Sequence, residues 1–80
     1  MSLYFFDIRD HNGTRADDTG LDFPNMDAAI TEGRRALAEM TRDALPDFPD
    51  AELAILIRDG GEGPVLLTIA FSTQRLDVTS

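Results

Sequence analysis

Cysteine is absent from these 80 residues. That removes a disulfide framework, a thiolate zinc site and a thiol nucleophile together. It fits a reducing cytosol, and a cytoplasmic location is the expectation. Lysine is absent as well: the seven basic residues are all Arg, set against 15 Asp and Glu. They are scattered, as genomic base composition would leave them, and do not gather into an arginine recognition surface. A net charge of −8 and a pI near 4.2 speak against nucleic acid, whose phosphates need clustered positive charge. No apolar run approaches the ~18 residues of a membrane span, and no charged segment followed by an apolar one opens the chain. A soluble, non-exported protein without a membrane partner is expected.

What is present suffices for one domain, residues 1–80. A chain this short buries only roughly 60% of its unfolded surface, so a stability of about 5 kcal/mol is expected. Its organising stretch is Met26–Leu45. Met26, Ala29, Ile30, Gly33, Leu37, Met40 and Ala44 recur at steps of three and four, the period of one helical face. Pro24 and Asn25 suit the start, with Asn25 as N-cap, and Pro46 bars continuation. Gly33 inside the apolar stripe costs roughly 1 kcal/mol against Ala. Close approach of helix to sheet accounts for it better than a hinge or a ligand contact.

Four strands are predicted around this helix. Leu3–Arg9 alternates, with Tyr4, Phe6 and Ile8 on one side and Leu3, Phe5, Asp7 and Arg9 on the other. Asn12-Gly13 marks a hairpin turn to a weak strand at Thr14–Ala16. Leu21 and Phe23 are expected to plug the end of the core on the way to the helix. Phe48, in a rigid connector, is expected to fold back on the core. Glu52–Asp59 is the most regular strand, followed by a glycine hairpin at Gly60–Gly63 and a long strand at Pro64–Leu76, with fraying over Thr73–Ser80. The fold class is therefore α+β. The order is β-β-α-β-β: a four-stranded, mostly antiparallel sheet with one helix on one face, strand order 2-1-3-4. The alternative places the fourth strand beside the first, in parallel. The predicted core is Tyr4, Phe6, Ile8, Leu53, Ile55, Ile57, Val65, Leu67, Ile69 and Phe71.

Tyr4-Phe5-Phe6-Asp7-Ile8-Arg9-Asp10 and a following glycine form the most specific opening. An acidic pair before Gly20, Phe23-Pro24-Asn25 ahead of an Ala-rich helix, and Glu52–Asp59 with its glycine hairpin complete the pattern. Over nearly its whole length the chain resembles a family of small uncharacterised bacterial proteins, a domain of unknown function. The resemblance implies one compact domain and carries no chemistry. His11-Asn12 departs from it where a bare tight turn is expected, which bears only on hairpin length.

Candidate chemistry is thin. His11, the one histidine, sits in a turn with Asp7, Asp10, Asp17 and Asp18 near it in sequence. Such a set suggests a metal or a general base, but the spacing from His11 to Asp22 matches no ligand loop, and Asp, Asn and Gly are what turns use. No nucleophile elbow appears, and Gly60-Gly61-Glu62-Gly63 lacks the Lys and following helix of a phosphate loop. No catalytic, cofactor-binding or metal residue is assigned, no cofactor is expected, and the chain is read as not an enzyme. If the first and third strands are neighbours, Asp7 and Arg58 form a cross-strand pair that serves register and solubility.

A surplus of apolar side chains remains. One helix covers one sheet face, and the other still carries Leu3, Phe5, Ala54, Leu56, Leu66 and Ala70. These six are the candidate interface of a protein-interaction or regulatory module, most simply a homodimer, otherwise a complex with another protein. The alternative is a small-ligand or metal-binding regulatory domain using the acidic His11–Asp22 edge. A part in a larger assembly, in the manner of toxin–antitoxin partners, rests on fold-level analogy alone.

Overall fold

The computed structural model describes residues 1–59, 61 and 63–77. The expected hairpin at Gly60–Gly63 and the expected fraying over Thr73–Ser80 fall partly outside them, at Gly60, Glu62 and residues 78–80.

Helix α1 spans Met26–Ala44. Its cap is as expected: Asn25 is extended, and its side-chain oxygen accepts the Ala28 N–H at 2.9 Å. The Leu45 N–H still reaches the Thr41 carbonyl at 2.8 Å, and Pro46 ends the run. Met26, Ala29, Gly33, Leu37 and Ala44 form the buried face.

Five strands build the sheet: β1 Ser2–Asp10, β2 Gly13–Arg15, β3 Leu21–Phe23, β4 Ala51–Arg58 and β5 Val65–Phe71. The order is β2-β1-β4-β5, with β3 also on β1, and every pairing is antiparallel. The predicted order is correct and the parallel alternative is excluded. Several predicted bounds are not: β1 runs one residue further at each end than Leu3–Arg9, and β2 and β4 each begin and end one residue before Thr14–Ala16 and Glu52–Asp59. Leu21–Phe23 is a strand, pairing with Ser2–Tyr4. The last strand stops at Phe71, short of Leu76. The helix ends one residue before Leu45.

Facing residues Phe6↔Ile57, Ile8↔Ile55, Leu53↔Ile69 and Ile57↔Val65 put the predicted core positions on one side, toward α1. Leu53, Ile55 and Ile57 are fully buried, each contributing about 2 kcal/mol. Ile69 is a correction, since it stays 38% exposed. So is Leu21, 55% exposed, which plugs nothing, whereas Phe23 packs edge-on against Tyr4 and Phe6. Phe48 does fold back on the core and also meets the His11 ring at 4.3 Å. Gly33 is where helix and sheet touch. A Cβ there would lie 2.8 Å from Leu67 Cδ1 and 3.1 Å from Ile57 Cδ1.

Candidate functional site

The side of the sheet away from α1 carries alternate residues of β1, β4 and β5. Their register brings Phe5 opposite Arg58, Asp7 opposite Leu56, and Leu56 opposite Leu66. All six predicted interface residues lie on this side, but the structure does not leave them equally available.

At the centre, Arg58 forks onto Asp7, with Nε donating to Oδ2 at 2.7 Å and NH2 to Oδ1 at 3.0 Å. The predicted pair is present, and it does more than set register. The same NH2 group donates to the Asp17 carbonyl at 3.0 Å, and the guanidinium lies 5.0 Å above the Phe5 ring. Asp7 in turn accepts the Asp17 N–H at 2.9 Å. The segment between β2 and β3 is thereby drawn across the rim of β1.

Asp17 completes this clamp. Between the stretches of β1 paired to β2 and to β3 the ladder is open, and the Asp17 carboxylate fills it by accepting the Phe6 N–H at 3.0 Å. Its other oxygen accepts the Thr19 and Gly20 N–H groups at 3.0 and 3.1 Å. These backbone donors hold the Asp17 carboxyl below the usual carboxylate range, and Arg58 does the same, first by hydrogen bonding, for Asp7. Asp7 conversely raises the Arg58 guanidinium above its ordinary value. Sequence reasoning placed Asp17 in a solvated turn. The only available signal was the acidic pair three residues before a glycine, a spacing that an Asx-type loop requires.

Gly20 follows, at φ +77°, and packs onto Leu3 and Phe5 so closely that a Cβ would lie 3.0 and 3.1 Å from them. The chain therefore covers part of its own open face. Phe5 is half-buried, Leu3 is 44% exposed, and the Asp7–Arg58 pair separates both from the rest. Ala54 is only 2% exposed; Arg9, directly across from it, reaches Glu52 at 3.5 Å. What stays open in the far half is Leu66, at 57% exposure, and Ala70, with Leu56 half-buried beside Leu66.

The His11–Asp22 edge does not converge. Gly13 pairs with Asp10 and Asp22 with Leu3, so the two ends of the edge are separated by most of β1. That length is ~24 Å at ~3.4 Å per residue. Asp17, between them, is committed to backbone N–H groups. Among the described residues, no group of three or more His, Asp and Glu is arranged to hold a metal ion. An apolar cleft of about 350 Å³ opens on the helix side of the same edge, floored by Phe6, Ile8 and Ile55, with Arg15 and Glu32 at its rim. No described helix is long and apolar enough to cross a membrane.

No curated protein and no solved structure matches this chain. One family model does, over residues 3–72, and it includes the clamp, Gly20, the helix, β4 and β5 whole, and β1 from Leu3. The chain belongs to that family, a domain of unknown function designated DUF6894.

Proposed function

We propose that this chain is a non-catalytic protein-interaction module that works as a homodimer, with the β4–β5 half of its sheet as the contact surface. The observation that carries the reading is the uneven cover of the open face. The β1 half is partly covered by Gly20 and the Asp7–Arg58–Asp17 clamp, which leaves Phe5 half-buried and Leu3 44% exposed, while Leu66 beside Leu56 is left 57% exposed. Exposed leucines beside half-buried ones are the profile of an interface rather than of a water-facing sheet. We place its work in the cytoplasm, which the absence of cysteine fits, and in a bacterium, which its resemblance to small bacterial proteins implies. Sedimentation at micromolar concentration tests the reading. The wild type is expected to sediment as a dimer and Leu66→Lys as a monomer. A wild type that stays monomeric, with Leu56→Lys and Leu66→Lys no different from it in solubility, would end it.

A further inference from the structure

Two large apolar side chains of β5 are exposed, Leu66 at 57% and Ile69 at 38%, and they point to opposite sides of the sheet. A partner stacked on the open face covers Leu66 and leaves Ile69 wet. Only something lying alongside the strand covers both. β5 is also an outer strand: among the described residues nothing pairs with its second edge. Along an antiparallel strand, N–H and C=O groups turn alternately to either side, so half of those on β5 face outward without a ladder.

Edges of this kind are normally blunted by charge, proline, a bulge or brevity. β5 has none of these. Its seven residues, Val65–Phe71, match β4 without a break in register. No charged residue occurs from Gly63 to Gln74 in a chain of net charge −8. The opposite rim differs: β2 and β3 have three residues each, carry Arg15 and Asp22, and are joined through the Asp17 clamp. At Thr73 the chain is on the β4 side, where the hydroxyl donates to the Pro49 carbonyl at 2.7 Å.

We propose that a second copy of this chain pairs along β5, antiparallel and two-fold about Thr68, so that the two sheets become one. The inference rests on the reading above that the chain is a homodimer, and it places the contact at the outer edge of β5, with Leu66 in it, rather than on the open face around Leu56. Full overlap of Val65–Phe71 sets Thr68 against itself, Leu67 against Ile69 and Leu66 against Ala70, so each exposed apolar side chain gains a cross-strand neighbour. The two-fold axis stands perpendicular to the sheet, and both helices lie on the same side of it. Charge bears on where two copies meet: at −8 each they repel, and the cost is least along strips that carry no charge. The size also fits. A contact ~24 Å long and ~20 Å deep removes on the order of 1,000 Å² in total, the lower end of specific interfaces, which implies a reversible dimer.

The test uses the self-facing position. Thr68 is exposed, so neither Thr68→Lys nor Thr68→Glu disturbs the core. Each places like charges across the axis and is expected to weaken association about tenfold or more. An equimolar mixture is expected to re-form a heterodimer, visible by native mass spectrometry. Amide exchange reads the same contact without a variant: in the wild-type dimer every amide of Val65–Phe71 is protected. A mixture that does not recover, or alternate β5 amides exchanging freely in the dimer, overturns edge pairing and leaves the interaction reading standing; a wild-type dimer indifferent to both charges overturns edge pairing and the β4–β5 contact surface alike, since Thr68 lies on that face too. A wild type that is monomeric throughout overturns both.

Discussion

Asp17 shows how much one carboxylate settles in a chain this small. It serves the Phe6, Thr19 and Gly20 N–H groups together, while its own N–H and C=O are held by Asp7 and Arg58. Removing the side chain strands donors at two half-buried residues, Phe6 and Gly20, and one exposed residue that water can serve, Thr19. Asp17→Ala is therefore expected to cost about 2 kcal/mol, within the range for unmet buried donors, read by urea unfolding. A cost below the measurement error would mean that water replaces the carboxylate without loss. The same geometry fixes a pH dependence. Asp7 and Asp17 both titrate below their ordinary value, so the unfolded chain binds protons first on acidification. Their contribution to stability is complete above the ordinary Asp pKa of ~3.9 and is lost as pH falls through the lower folded values. Unfolding curves taken between about pH 5 and pH 3 are expected to show a shallower decline for Asp17→Asn than for the wild type. Equal slopes would remove Asp17 from the account.

At the scale of elements, α1 depends on Gly33. Alanine there gains about 1 kcal/mol of helix propensity but sets a Cβ 2.8 Å from Leu67 Cδ1 and 3.1 Å from Ile57 Cδ1. Leu67 is half-buried and can shift, whereas Ile57 is fully enclosed. Overpacking costs about 1–3 kcal/mol, so Gly33→Ala is expected to be destabilised by about 1 kcal/mol net in thermal unfolding. A higher melting temperature would show that the helix rides further from the sheet than drawn here. That glycine was legible from its place in the apolar stripe, as were the helix and the three longer strands from their periods, the Asn25 cap from its residue type, and the strand order from the apolar content that suits β1 and β4 to the centre. β3 was not. Three residues with Asp22 in the middle carry no alternation, and they become a strand only because β1 lies alongside. The last strand was read to Leu76 because Ser72 and Thr73 do not break the pattern, although pairing with β4 ends at Ala51↔Phe71. The open face was read from the right side chains. Its partial cover by Gly20 depends on a loop whose course follows from Asp17, which no period reveals.

For the whole molecule, charge and contact surface oppose one another. Each copy carries −8, yet the strip along which two copies are proposed to meet has no charged residue, and Arg34 borders it in the groove between α1 and β5. Association then works against long-range repulsion and gains nothing from cross-interface ion pairs. Salt should accordingly strengthen the dimer. Shortening the screening distance from ~30 Å at 0.01 M to ~8 Å at 0.15 M removes most of the repulsion between exposed carboxylates on separate copies. It leaves the backbone ladder and the apolar contacts of β5 untouched. Sedimentation equilibrium across that range is expected to give a dissociation constant that falls steadily as sodium chloride rises. An interface held by complementary charge, with acidic groups of one copy on Arg side chains of the other, would do the reverse. Weakening by salt would place the contact elsewhere, on the arginine-bearing surfaces of α1 or β1, and would count against β5 even in a protein that dimerises.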